Sequence, residues 1–300
     1  MVSFRGLDLA EPQQAQVRHR ALSRHFFPVD RLLLGYVGVV SAVALSRLSS
    51  FPDCGWLLLA NALVVALVLM VTRSDLGPFG RLVHDAYPIL LLIALYASLD
   101  ILNGGGRVAV HDATVQRWEQ ALFSGEPSRD WWQAAPSAFW SAVLHAAYFS
   151  YYLIIAVPTV VLLRRADRAP VRRFVFAVMV TFVVCYLVFI FFPVAGPYYA
   201  FPRPGGPFVD NAAARLVYGL LAEGSSFGAA FPSSHVAASV AATVVAWTAS
   251  RSLGLVLGVA TALLTVGVVY CQMHYGVDAI SGLVLGLAVG VGVNCVNGER

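Results

Sequence analysis

The sequence has no lysine. All 20 of its basic side chains are arginine, which reads as the coding bias of a GC-rich bacterial source and leaves every fixed cation to arginine. Charge of either sign is scarce: 12% of the 300 residues are charged, against about 25% in a soluble domain. A formal net charge of +4 is too small for a nucleic-acid-binding surface, and the arginines fall mostly in short loops. Cysteine is rare too. Cys54, Cys185, Cys271 and Cys295 lie in or beside apolar runs and form no CxxC pair, which implies buried free thiols rather than a disulfide framework. The first 30 residues carry Arg5, Arg18, Arg20 and Arg24 but no apolar core of signal-peptide type. The first span is therefore expected to act as an uncleaved anchor.

What is present is apolar. Hydrophobic residues make up 59% of the chain and mean hydropathy is +0.73, values of an all-α polytopic transmembrane helix bundle. Crossing a ~30 Å hydrocarbon core takes roughly 20 residues. Eight runs meet that need, near 31–48, 54–72, 86–103, 138–163, 173–193, 233–250, 253–272 and 275–296. The segment 104–136 is mixed; Val115, Trp118 and Leu122 at helical spacing predict an amphipathic helix lying in the interface, with Trp131 and Trp132 as belt residues. A second irregular stretch, 194–230, is rich in Gly, Pro and Tyr.

Arginine also orients the bundle. The N-terminal tail, the 73–85 loop with Arg73 and Arg81, and RRADRAPVRR at 164–173 mark the cytoplasmic side. Alternation from there puts the 47–53, 104–136 and 194–232 loops outside, both termini inside, and the whole protein in a plasma (inner) membrane. His235 then opens the sixth span and His274 and Asp278 the eighth, all from the outer face.

That alignment carries chemistry. His274 and Asp278 are four residues apart and share a helical face. A carboxylate there accepts the Nδ1 proton and leaves Nε2 free as a nucleophile. His235 follows Ser233 and Ser234, with Ser233 a candidate N-cap; the first-turn N–H groups and helix dipole beyond it favour an anion. A protonated His235 in that setting can supply a proton to a leaving alkoxide. The three side chains are expected to converge across a gap as wide as a phosphate group and to support phosphoryl transfer through a phosphohistidine, with no metal and no cofactor. Taken singly, each feature has a bland explanation, as an interfacial histidine or a Pro-Ser helix cap. Asp100, His111 and His145 are read as structural.

The residues FPSSH resemble the P-S-x-H motif, and HYGVD the end of the S-R-x5-H-x3-D motif, of the type-2 phosphatidic acid phosphatase superfamily of membrane lipid phosphatases and phosphotransferases. FFPVAGPYYAFPRPGGPF resembles the approach to its K-x6-R-P motif. Arg203-Pro204 matches the R-P end, but Gly196 stands where the lysine belongs, and Gly267 and Val268 where the serine and arginine of the third motif belong. Such losses, with DATVQRWEQALFSGEPSRDWW and HAAYFSYY upstream, resemble the inositol-phosphotransferase-like branch that includes inositol phosphorylceramide synthase. The likeness runs over roughly 85–296. It implies His274 as nucleophile, His235 as general acid, Asp278 as orienting carboxylate, and Ser233, Ser234 and Arg203 as phosphate ligands. Arg215 is the alternative cation.

The expected division is a cytoplasmic tail (1–30), an N-terminal pair of spans (31–85) and a catalytic membrane domain (86–300). The expected partners are a phosphate-bearing membrane lipid and an alcohol or water acceptor. A dry cleft lined by Tyr198, Tyr199 and Tyr275 favours transfer to an alcohol; an open polar mouth favours hydrolysis by a lipid phosphate phosphatase. A transporter would show internal repeats and broken helices at midplane, and neither is evident. A metal site on the two histidines and Asp278 lacks a specified fourth ligand.

Overall fold

The computed structural model describes residues 26–73 and 77–298; the N-terminal arginines used above for orientation lie outside the described residues. Thirteen α-helices make up the described fold, without a strand among those residues. They are α1 (Pro28–Arg47), α2 (Cys54–Arg73), α3 (Gly77–Leu102), α4 (Asp112–Phe123), α5 (Pro127–Ala134), α6 (Ala138–Phe149), α7 (Tyr151–Leu163), α8 (Ala169–Phe191), α9 (Pro197–Ala200), α10 (Ala212–Gly224), α11 (Ser234–Ala249), α12 (Arg251–Tyr270) and α13 (Gly276–Gly298).

Every expected span is a helix, but not every one is long enough to cross. Among the described residues six helices pass by length and hydropathy, and α6 and α7, which pass together but are bent by 42° at their break, make a seventh candidate when taken as one span. The bend sits at Ser150, whose Oγ bonds the Ala147 carbonyl at 2.6 Å, and Pro158 removes a further ladder donor from α7. The remaining span, α11, has only 16 residues. At about 24 Å it is shorter than a ~30 Å core, so its two ends cannot both reach the membrane surfaces. Another difference is at α3, which begins at Gly77 rather than near 86. Its polar first turns are helical because they are paired: His84 Nε2 meets Asp30 Oδ2 at 3.0 Å and Asp85 accepts from Arg172 Nε at 2.6 Å.

Helix α8 is the hub, packed against α1, α3, α7, α11 and α13, with Phe174, Met179, Phe182, Tyr186 and Phe189 buried along it. Arg47, at the end of α1, donates to the carbonyls of Leu102 and Ile190, while Asp30 and Arg172 join the starts of α1, α3 and α8. Those three helices therefore run in the same direction. Their far ends carry loop 193–233, opposite the arginine-rich 164–173 turn.

The interfacial segment is two short helices, broken at Ser124 in the left-handed region (φ 57°). Its inward face differs from the expected one. Val115 and Glu119 are buried, whereas Trp118 and Leu122 are exposed. Trp131 is exposed, but Trp132 turns inward and donates to Gln272.

Helices α11 and α13 approach closely because Gly282, Gly286 and Gly290 fall at four-residue spacing. A Cβ at Gly282 would lie 2.5 Å from the Ser233 carbonyl oxygen, and one at Gly290 would lie 2.8 Å from Val244 Cβ. In lipid, where apolar burial drives little helix association, such close packing is the main source of cohesion. It also brings the starts of α11 and α13 together.

Candidate active site

Helix α12 ends in a Schellman cap. Gln272 adopts φ 60°, its N–H bonds the Val269 carbonyl at 3.0 Å, and the Met273 N–H bonds that of Val268 at 2.9 Å. Glycine is usual at such a position. Here the glutamine side chain ties the turn down, accepting from Trp132 Nε1 at 3.0 Å and donating to the Pro202 carbonyl at 2.9 Å. The His274 N–H also reaches the Val268 carbonyl, at 2.8 Å. His274 thus stands on this turn, ahead of α13, and does not share a helical face with Asp278.

Its ring is held twice on one side. Nδ1 lies 3.0 Å from the Ala230 carbonyl oxygen and 3.5 Å from Asp278 Oδ2. A carbonyl only accepts, so Nδ1 carries the hydrogen and Nε2 keeps its lone pair. The expected carboxylate contact is present, but the carbonyl is the nearer partner. Asp278 Oδ2 accepts the Tyr275 N–H at 2.8 Å, while Oδ1 is buried without a hydrogen-bond partner.

Ser233 caps α11 by accepting from the Val236 N–H at 3.4 Å, and its own N–H donates to the Asp278 carbonyl at 3.0 Å. His235 therefore begins α11 beside the α13 start, with Nδ1 3.5 Å from His274 Nε2. That spacing corrects one expectation: a phosphorus and its oxygens do not fit directly between the two nitrogens. The other face of His235 meets the Tyr148 hydroxyl at 3.3 Å and the Tyr151 ring, 4.6 Å between centroids.

The remaining expected site residues are dispersed. Ser234 is buried on the first turn of α11. Arg203 is exposed and stacks 4.3 Å over the Tyr198 ring. Arg215 is paired with the exposed Asp210 at 2.7 Å. Tyr198 is buried, Tyr199 is exposed and bonds Ser225 at 2.5 Å, and Tyr275 is fully buried. The Tyr275 hydroxyl is engaged by Asp112 and Gln116, each at 3.0 Å. Tyr198 and Tyr199 meet edge-on at 4.9 Å between ring centroids, whereas the Tyr275 ring packs edge-on against Phe201. His111 stacks on Phe192, the buried His145 bonds the Ser141 carbonyl, and Asp100 is exposed. Among the described residues no group of three or more His, Cys, Asp or Glu is arranged to hold a metal ion.

Two acidic residues went unnoticed in the sequence. Asp112 accepts the N–H groups of Ala195 and Gly196, both at 2.8 Å. Two turns along α4, Glu119 accepts those of Gly276 and Val277, also at 2.8 Å. Burial raises the Glu119 pKa above the ordinary carboxylate value, and the two N–H donors oppose that rise. The spacing Asp112, Val115, Glu119 on one helical face was the available signal.

A family model described as the PAP2 superfamily matches residues 113–291. The chain belongs to the PAP2 superfamily. Neither a curated protein nor a solved structure matches it. The match spans α4 to α13 and contains both histidines and Asp278, while α1 to α3 lie outside it. Where this chain departs from the PAP2 motifs, packing replaces charge. Gly196 has φ 90° and would set a Cβ 2.8 Å from that of Ala230; a Cβ on Gly267 would meet the Leu144 carbonyl oxygen at 2.9 Å; Val268 is fully buried. At Gly196 no long cationic side chain fits without rearrangement.

Proposed function

We propose that this PAP2-superfamily protein is a metal-independent membrane phosphotransferase of the inositol-phosphotransferase-like branch, moving a phosphoryl or phospho-head group from a lipid to an alcohol through a phosphohistidine. The observation that carries the reading is the His274 ring, with its Nδ1–H anchored on the Ala230 carbonyl and its bare Nε2 facing His235 Nδ1 at 3.5 Å. In the first half-reaction the Nε2 lone pair forms the N–P bond and the P–O bond breaks, its electron pair leaving on oxygen. That oxygen takes a proton from His235 Nδ1. In the second half the acceptor hydroxyl returns a proton to His235, its oxygen attacks phosphorus, and the N–P bond breaks to restore His274. Asp278 compensates the positive charge on the substituted ring.

Phosphate binds beside the histidine pair, at the start of α11. Glu119 and Asp278 already occupy N–H groups at the start of α13, which leaves the α11 end, with Ser233 and Ser234, for an anion. The loss of cations at positions 196 and 268 favours a singly charged diester, since uncompensated charge at membrane depth is costly. With the arginine-rich 164–173 turn inside, the site faces outward from a plasma membrane.

Hydrolysis by the same covalent step is the second reading. What favours it is that Tyr199 is exposed and the Tyr275 hydroxyl is already engaged by Asp112 and Gln116, so neither is free to line a dry acceptor cleft. The deciding experiment supplies purified protein with phosphatidic acid, polyprenyl phosphate, phosphatidylinositol and sphingolipid donors, with and without candidate alcohols. A new phospholipid product that appears only with the alcohol supports transfer; phosphate release unaffected by any alcohol supports the phosphatase. Loss of turnover in EDTA overturns the metal-free mechanism.

A further inference from the structure

Between the short helices α4 and α5 on one side and the end of α12 and start of α13 on the other lies a pocket of about 610 Å³. That size falls within the roughly 300–1,000 Å³ of small-molecule sites. Val269 and Gly276 line it near those two helix ends, and Val266 and Ile280 line it about one turn deeper, roughly 5 Å along the helices. Val266 and Ile280 are also exposed on the surface of the bundle. At that level the pocket therefore opens sideways to hydrocarbon. Its polar groups are few: Thr265 on α12, and Glu126 and Asp130 about the α4–α5 turn. Glu126 Oε2 is buried and has no hydrogen-bond partner.

The polar end of the pocket is acidic. Arg129 beside it is already taken by Asp130, at 2.6 and 3.1 Å, and the Glu119 charge adds to that of Glu126. A lipid phosphate placed here adds negative charge to an acidic site with low-dielectric walls, a cost that a hydroxyl does not carry. A hydroxyl also brings what Oε2 lacks, a donor, and a carboxyl oxygen accepts it in either protonation state.

We propose that this pocket binds the acceptor of the transfer and that the acceptor is a lipid alcohol, its hydrocarbon chain against α12 and α13 and its uncharged hydroxyl on Glu126 Oε2. This rests on the transferase reading. Gly276, in the pocket wall, follows His274 by two residues, so the acceptor is held beside the catalytic turn. Donor and acceptor then bind at places of opposite character. The phosphate goes to the N–H groups at the start of α11, and the alcohol goes to the carboxyl groups about the α4–α5 turn. The same carboxyl groups discourage the phosphate-bearing donor from taking the acceptor's place.

The test uses three photoreactive probes that share one diazirine-bearing chain: a diacylglycerol, its methyl ether and the matching phosphatidic acid. Each is irradiated with the purified full-length protein in detergent, and labelled residues are mapped by mass spectrometry. The diacylglycerol is expected to label the walls near 265–269 and 276–280 about tenfold more than either other probe, the scale of one hydrogen bond to a charged group. Glu126→Leu should bring it down to the level of the ether, whereas Glu126→Gln, which keeps an oxygen acceptor, should not. Ile280→Trp fills the pocket from an exposed position on α13 and should abolish the labelling; Val266→Trp should do the same from α12. Equal labelling by all three probes means ordinary lipid contact and overturns the proposal. Preference for phosphatidic acid gives the pocket to the donor and overturns it too, as does undiminished labelling in an Ile280→Trp variant that melts like wild type. In the transfer assay Ile280→Trp should raise KM for a lipid alcohol and leave that of the donor; a rise for the donor alone contradicts the assignment. Phosphate release that no alcohol diverts, or turnover by His274→Ala, defeats the transferase reading and takes the acceptor role with it. The lipid-alcohol site itself is decided by the labelling, which His274→Ala should retain in full.

Discussion

The Glu119 carboxylate accepts the backbone N–H of Gly276 at 2.8 Å, so an interfacial helix grips the start of the helix that carries Asp278. Its second oxygen takes Val277 N–H at the same distance. Two first-turn donors that would otherwise be orphaned inside the protein are satisfied by one side chain. The grip joins α4 to the start of α13, two residues past His274.

Removing that grip should be costly. Glu119→Ala leaves the buried Gly276 N–H and the part-buried Val277 N–H without acceptors, a loss of about 1–3 kcal/mol for the buried one and less for the other, and lowers the melting temperature in detergent. Glu119→Gln keeps one oxygen acceptor and should cost less. Melting curves of the two variants check this; an alanine variant as stable as wild type would show that water replaces the carboxylate at no penalty.

Glu126, in the turn between α4 and α5, gives a pH dependence. Burial raises its pKa to about 7, with the neighbouring Glu119 charge adding to the rise, and its Oε2 has no hydrogen-bond partner. The folded state thus binds this proton more tightly than the unfolded chain. Its contribution to stability is full below the ordinary value of about 4.5 and is lost as pH rises through about 7. Glu126→Gln should therefore melt higher than wild type at pH above 7, with the advantage shrinking to nothing in acid. Parallel pH–melting curves for both proteins contradict the assignment.

The helical class was legible because hydropathy alone identifies apolar segments of spanning length. His235 and His274 were legible as a pair through their position at the starts of two spans on one face. Three things were hidden, each for a physical reason. The first turns of α3 read as polar because their partners, Asp30 and Arg172, are distant in sequence. The inward face of α4 was misassigned because Glu119 is buried by backbone N–H groups, which hydropathy does not register. The short α11 was overestimated because its limits are set by Ser233 and Ser250, two capping serines. The Gly282, Gly286, Gly290 spacing that brings the histidines together was visible in the sequence and went unread.

The missing lysine offers a test by restoration. Gly196→Lys supplies the family's residue at its expected place, but the backbone there sits at φ 90° with Ala230 Cβ in the way. Left-handed strain of about 1–3 kcal/mol for a non-glycine residue, added to the clash, should lower the melting temperature and reduce turnover rather than raise it. Because Gly196 N–H also donates to Asp112, the distortion should spread to α4. An increase in activity on phosphomonoesters would show that the cation, not the packing, limits this site.

Asp278 and His274 should not be equivalent when removed. His274→Ala deletes the attacking nitrogen, and turnover should fall to background on every donor. Where a carboxylate alone sets the tautomer of a catalytic histidine, converting it to an amide costs about 10⁴ in rate. Here the Ala230 carbonyl also holds Nδ1–H, at 3.0 Å against 3.5 Å for Asp278. Asp278→Asn therefore leaves the tautomer in place, and the asparagine oxygen can still accept the Tyr275 N–H that Oδ2 accepts now. What disappears is the negative charge facing the phosphorylated ring. The loss should be smaller, about 10²-fold by the scale of a single electrostatic contact, and should fall on kcat with KM nearly unchanged. Rapid-quench measurement of the phosphoenzyme separates the two variants: Asp278→Asn should still accumulate acid-labile phosphohistidine, only more slowly, and His274→Ala none. If the asparagine variant is as dead as the alanine one, the carbonyl is not holding the tautomer and Asp278 alone is responsible for the orientation of the nucleophile.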